Sequence, residues 1–262
     1  MKKKITLSVL VLSILSLVVF FTLQKKVPVI NPPIDEEDKE YDLNPEVPFV
    51  IVIDAGHGPF ESLDKEPNAP GSTDMKYKSV VGATGNITRV LERDINLTIA
   101  LQLQTLLTEA GYTVVMTRID NSVNLSNIQR ATIANEHHAD LMIRIHNDSS
   151  SNHENHGASV LVPANVGYAG PIVAISAKYG KIILDTLISE VGMASRGVKT
   201  RSDQTGFNWS KVPVMTVEMG FLSNPEEEQN LVNTSYQTKL ANALFKGIDS
   251  CFDGYKWYPL IY

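Results

Sequence analysis

From residue 49 onward, apolar β-branched runs alternate with amphipathic stretches. Residues 49–53 form the first run, which stops at Asp54-Ala55-Gly56-His57-Gly58 and reads as a buried strand ending in a tight turn. In the next periodic stretch, Ile95, Ile99, Leu103, Leu106, Leu107 and Ala110 recur at helical spacing, predicting a helix over 94–110 with acids at its start and Gly111 at its end. A strand follows at 112–116, then a second amphipathic helix over 124–138 through Leu125, Ile128, Ala131, Ile133 and Ala134. Residues 141–145 read as a strand that ends at His146-Asn147-Asp148, and 157–162 as another. A helix is predicted over 171–191, then a polar loop over 192–209 with a short strand near Val198. Residues 212–217 form a further apolar run, ending at Glu218-Met219-Gly220. Asn224-Pro225-Glu226-Glu227 is a helix start, and the acidic run Glu226-Glu227-Glu228 reads as its solvated first turn. Thr234 and Gln237 have capping-box spacing and open a last helix through Leu240, Ala243, Leu244 and Ile248. Residues 59–89, with Pro67, Pro70, Gly71, Gly82 and Gly85, read as one long loop walling whatever lies beside His57. Strands alternating with helices over this length predict an α/β sheet covered on both faces.

The ends of the chain differ in character. Lys2-Lys3-Lys4 precedes an apolar run over 5–23, roughly 19 residues and near the ~20 that span a bilayer as a helix. No small-residue cleavage site follows it, so residues 1–26 read as an uncleaved signal anchor, with secretion after cleavage as the alternative. Residues 27–47 mix prolines with the acids Asp35, Glu36, Glu37, Asp38 and Glu40, the composition of a semi-extended tether. The predicted arrangement is thus anchor, linker, one domain over 48–252 and a tail over 253–262. Either reading of the N-terminus places the domain outside the cytoplasm. The net charge of −6, with no Lys/Arg run in the domain, argues against nucleic acid as a partner. The single Cys251 excludes an intrachain disulfide and a cysteine-based zinc cluster, and reads as a small packing residue.

Three predicted strands end in chemistry: Asp54 and His57, then His146, then Glu218. In open α/β sheets, ligands bind outside the carboxyl ends of the strands. Were these strands neighbours, two imidazoles and carboxylates would converge on one rim, a donor set suited to one Zn2+ with an open position for water. The alternative is scattered structural histidines, since no compact motif such as His-Glu-x-x-His is present.

Four segments appear in order: Asp54-Ala55-Gly56-His57-Gly58; Glu92-Arg93-Asp94-Ile95-Asn96-Leu97; Ala139-Asp140-Leu141-Met142-Ile143-Arg144-Ile145-His146-Asn147; and Val217-Glu218-Met219-Gly220-Phe221-Leu222-Ser223-Asn224. Together they resemble the zinc-dependent N-acetylmuramoyl-L-alanine amidases of bacterial cell-wall metabolism, across about residues 49–248. The resemblance implies a mixed, roughly six-stranded twisted sheet with helices on both faces. It implies His57, Glu92 and His146 as ligands of one zinc ion and Glu218 as the catalytic carboxylate. The implied reaction is hydrolysis of the amide joining N-acetylmuramic acid to L-alanine in peptidoglycan, the implied partner. The segment from His57 to Glu92 is longer than the family's usual connection and also carries Glu61 and Glu66; the Arg93–Leu97 context selects Glu92.

Asp54 and Asn147 are candidates for orienting the ligands or meeting substrate; Asp54 could instead make only a turn hydrogen bond. His137 and His138, closing a helix, read as exposed or dipole-complementing rather than as ligands, and His153 and His156 as solvated, near enough to His146 to touch substrate. Trp209 is a half-buried packing ring or a substrate-facing one. Two rival functions stand beside the amidase: a zinc peptidase cutting within the stem peptide, and a wall-binding module without turnover.

Overall fold

The computed structural model describes residues 48–253. The expected anchor (1–26) and linker (27–47), and the tail beyond residue 253, lie outside the described residues. Among the described residues no helix is long and apolar enough to cross a membrane.

The frame is a six-stranded sheet in the order β4-β1-β5-β8-β6-β7. Its strands are β1 (Val50–Ala55), β4 (Thr113–Met116), β5 (Leu141–Asp148), β6 (Ala158–Pro163), β7 (Ser195–Arg201) and β8 (Val214–Phe221). β4, β1, β5 and β8 pair in parallel. β6 is antiparallel to β8 and carries β7 parallel to itself, so the sheet is mixed. The central strands begin as apolar runs because both faces are covered there, and polar residues enter toward their carboxyl ends.

One face buries Ile51, Ile53, Ile143, Ile145, Met215 and Val217 under three long helices, α1 (Glu92–Glu109), α3 (Val173–Val191) and α6 (Thr234–Cys251). The alternate residues Val52, Met142 and Val214 point the other way. They form a smaller core with Ala134 and Phe207 under α2 (Asn127–Glu136) and the short α4 (Thr205–Asn208). α5 (Pro225–Leu231) links β8 to α6. Cys251 is buried and unpaired, and burial pushes its thiol up to about 12, as suits a packing residue.

Four expectations change. Residues 59–89 are not all loop: β2 (Ser62–Pro67) and β3 (Met75–Ser79) form an antiparallel hairpin. SLDKEP shows no apolar alternation, and MKYKS alternates but leaves Met75 and Tyr77 exposed, because what holds the hairpin comes from elsewhere. Trp209 Nε1 donates to Pro67 O at 2.9 Å, and Asn208 Nδ2 to Asn68 O at 3.0 Å. The short strand expected near Val198 is the seven-residue β7. His146 and Glu218 lie inside β5 and β8 rather than just past them. The last helix is capped by Asn233, whose side chain accepts from Ser235 N and Tyr236 N, and not by a Thr234 box. Asn is as good a cap as Thr, and it sits one position earlier.

Candidate metal centre

The carboxyl ends of β1, β5 and β8 lie side by side. Asp54, Arg144 and Thr216 form one row across these strands, and His146 and Glu218 form the next. Residues paired across a sheet share a face, so His146 and Glu218 project together. The chain leaving β1 turns at His57, a non-glycine residue at φ +64. Glu92 enters from the first turn of α1, where an acid also complements the helix dipole.

Glu92 is the hub. Its Oε1 lies 3.0 Å from His57 Nε2 and 3.1 Å from His146 Nδ1. The same oxygen accepts from Asn147 N at 3.1 Å and Asn96 Nδ2 at 3.2 Å. Oε2 accepts from Ala83 N at 2.8 Å. Burial alone would raise this carboxyl, but the neighbouring imidazoles of His146 and His57 outweigh it and hold Glu92 well below the usual carboxylate range. The two imidazoles meet edge to face with centroids 4.7 Å apart. Burial pushes His146 down to about 4 despite Glu92 beside it, so at neutral pH the ring is neutral, the form that binds metals.

The donor set fits a divalent cation. His57, Glu92 and His146 offer one ligand atom each, all within 4.8 Å of one another. His57 Nδ1 lies 2.8 Å from Val80 O. A carbonyl can only accept, so Nδ1 carries the proton and Nε2 is the nitrogen that faces Glu92. His146 Nε2 is buried with no partner, which is costly unless something binds there. The space is kept open by glycine. A Cβ on Gly56 would stand 2.3 Å from His146 Nε2, and one on Gly82 2.6 Å from both Glu92 Oε2 and the His57 ring.

Glu218 is of a different kind. Its Oε2 is buried and unpartnered. Burial, together with the negative charges of Glu92 and Asp148, pushes its carboxyl up to about 8. A carboxyl with such a value beside a cluster of imidazoles is suited to moving protons.

A family model described as N-acetylmuramoyl-L-alanine amidase (Amidase_3) matches residues 51–250. The chain belongs to this amidase family. It is 30% identical over 207 residues to YqiI of Bacillus subtilis (strain 168), covering 78% of this chain and 84% of that protein. It is 28% identical over 209 residues to the N-acetylmuramoyl-L-alanine amidase LytC of the same organism, covering 80% of this chain but 36% of LytC. Among solved structures, the amidase Ami1 of Mycobacterium smegmatis superposes with a TM-score of 0.72 at 22% identity, over 79% of this chain and 97% of that one. That likeness concerns the fold.

The structure brings His57, Glu92 and His146 together, with Glu218 beside His146 on the neighbouring strand, and does not bring the alternatives to Glu92 there. Glu61 is exposed. Glu66 is buried, but it accepts from Ile128 N and caps α2. Asp54 does not orient the His57 ring. It is fully buried, ion-paired to Arg130 and Arg144, and accepts from Thr117 Oγ1. Burial would raise it, but the two guanidinium groups hold it far below the carboxylate range. Asn147 is buried and braces the hub: its backbone N–H reaches Glu92 and its side chain donates to Asn96 Oδ1 at 2.8 Å. His137, His138, His153 and His156 are exposed. Trp209 is half-buried and stacks edge-on against Tyr168.

Sequence reasoning missed three contributors. Val80 O and Ala83 N act through the backbone, which leaves no side-chain signal. Glu228 was expected in solvent but is buried, accepting from Ile87 N, Thr88 N and Thr88 Oγ1. It thereby ties the strand-free segment before Glu92 to α5. A polar stretch with an unspent glycine, Gly85, whose Cβ would meet Glu228 Oε1 at 2.3 Å, was the one available hint.

Proposed function

We propose that this amidase-family chain hydrolyses the amide between N-acetylmuramic acid and L-alanine in peptidoglycan, using one Zn2+ held by His57, Glu92 and His146. The observation that carries the reading is the convergence of two imidazoles on one buried carboxylate oxygen, with the unpartnered Glu218 beside them. When bound, zinc lowers the pKa of its water to about 7 and polarises the scissile carbonyl. The chain's own groups do the rest. Val80 O and Asn147 N keep His57 and Glu92 aimed at a common point. Burial, and in part the negative charge of Glu92, push the Glu218 carboxyl up. With a cation held at Glu92 that second push would be offset, and the ionised Glu218 carboxylate would accept the proton of the attacking water and return it to the leaving nitrogen. We further propose that the domain is exported and held at the cytoplasmic membrane by residues 1–26, with residues 27–47 as a tether giving it reach into the wall.

The decisive test is mass spectrometry of purified wall fragments after digestion, before and after chelation. Free lactyl carboxyls on muramic acid with new L-alanine amines support the amidase. New amines within the stem peptide mean a stem peptidase instead. No product with either bond cut, from a zinc-loaded protein that binds wall, means a binding module.

A further inference from the structure

His57 holds a left-handed backbone conformation without being glycine, which costs roughly 1–2 kcal/mol and must be imposed from outside. The three consecutive carbonyls at this turn are all held by two guanidinium groups. Arg118 Nε donates to Ala55 O at 2.8 Å and Arg118 Nη2 to Gly56 O at 2.9 Å. Arg130 Nη1 donates to Ala55 O at 3.2 Å and Arg130 Nη2 to His57 O at 2.8 Å. Arg118 Nη2 also donates to Arg93 O at 2.7 Å, one residue after Glu92. One side chain therefore ties the turn carrying His57 to the helical turn carrying Glu92. Arg118 and Arg130 are 2% and 3% exposed. A buried guanidinium costs several kcal/mol in lost hydration unless its donors are met. Asp54 holds Arg130 in place through its ion pair, and Arg144 closes the other side of that carboxylate. Neither Arg118 nor Arg130 contacts a donor atom of His57, Glu92 or His146.

We infer that Arg118 and Arg130 are positioning residues: they clamp the β1 turn in its strained conformation and so set the spacing between His57 and Glu92. The inference rests on the metal-site reading above. Its physical content is that a planar fork spans two carbonyls at once, and an ammonium does not. With lysine at either position the turn relaxes toward negative φ and the His57 ring leaves Glu92.

The test uses the full chain, stripped of metal, as wild type, Arg118→Lys and Arg130→Lys. Co2+ is titrated in and its visible absorption read, because band position and intensity report ligand geometry. Zn2+ affinity follows by competition, and circular dichroism of the metal-free forms reports folding. The expected result is Zn2+ affinity weaker by about tenfold or more in each variant that folds, with a shifted or weakened Co2+ spectrum. Variants that match wild type in affinity and spectrum overturn the inference, even if they melt at lower temperature. A wild type that binds neither ion overturns the metal reading and this inference with it. Arg118→Lys leaves both ion pairs of Asp54 intact, so it decides the matter if Arg130→Lys fails to fold.

Discussion

His146 on β5 and Glu218 on β8 are register partners on adjacent parallel strands. That pairing places a ring that burial keeps neutral and a carboxyl that burial keeps protonated side by side at one end of the sheet. The same dielectric environment thus prepares one group to bind a cation and the other to carry a proton.

Replacing Glu218 with Gln removes the proton carrier while keeping its volume. Turnover of peptidoglycan should fall by at least ~10²-fold. Metal content, measured by atomic emission on the purified protein, should stay at the wild-type value. Wild-type turnover in Glu218→Gln would assign the proton transfers to another group.

The same variant reports on pH. In the metal-free fold Glu218 titrates near 8, above its ordinary 4.5. The folded state therefore keeps a proton that the unfolded chain has released, and stability falls as pH rises from about 4.5 to 8. Gln carries no such cost. In chelator-treated protein, titration of this group should separate Glu218→Gln from wild type by under ~1 kcal/mol at pH 5. At pH 8.5 the variant should be the more stable, by an amount on the order of a few kcal/mol. Scanning calorimetry at the two pH values checks this, and identical differences at both would refute it.

Gly82 stands against Glu92 and His57, as Gly56 stands against His146. It sits at φ +81, and a Cβ there meets Glu92 Oε2 and the His57 ring at 2.6 Å. Gly82→Ala should weaken metal binding by about tenfold or more, at a fold cost of about 1–2 kcal/mol. Isothermal titration with Zn2+ separates the two effects, because strain in the turn alone would lower the melting temperature without moving the affinity.

Glu228 holds the segment that supplies Val80 O and Ala83 N. Glu228→Ala leaves the Ile87 and Thr88 amides without their acceptor. Unmet amide partners of this kind cost about 1–3 kcal/mol, read as a lower urea midpoint. Hydrogen exchange should quicken over residues 84–91 while β5 and β8 stay protected; uniform exchange across the domain would contradict the assigned role.

Asp54 is a sharper case, since its removal strands charges. Asp54→Ala leaves Arg130 and Arg144 without their carboxylate, and breaking a buried pair this way costs roughly 3–5 kcal/mol. Denaturant unfolding should show the loss at neutral pH. A change under ~1 kcal/mol would mean that the arginines are satisfied by their other acceptors, the Ala55 and His57 carbonyls for Arg130 and the Gln204 and Asn127 side chains for Arg144.

The amino-acid sequence alone determined the alternation of strand and helix, because periodicity records which side of an element is buried. Ile51, Ile53, Ile143, Ile145, Met215 and Val217 mark their strands without any knowledge of neighbours. It also singled out His57, His146 and Glu218 as the polar breaks toward the carboxyl ends of their strands, although His146 and Glu218 lie within β5 and β8. What it left open were the residues whose roles depend on a partner far along the chain. Glu66 and Glu92 are both buried acids of the same segment; one caps a helix 62 residues away and the other collects two imidazoles. Glu228 looked like a solvated helical acid until the turn 140 residues earlier was folded against it. The β2–β3 hairpin was silent for the same reason, since Trp209 and Asn208 hold it. Local periodicity is a property of one segment, whereas hydrogen bonding and charge pairing belong to two, and only the tertiary structure brings the second one in.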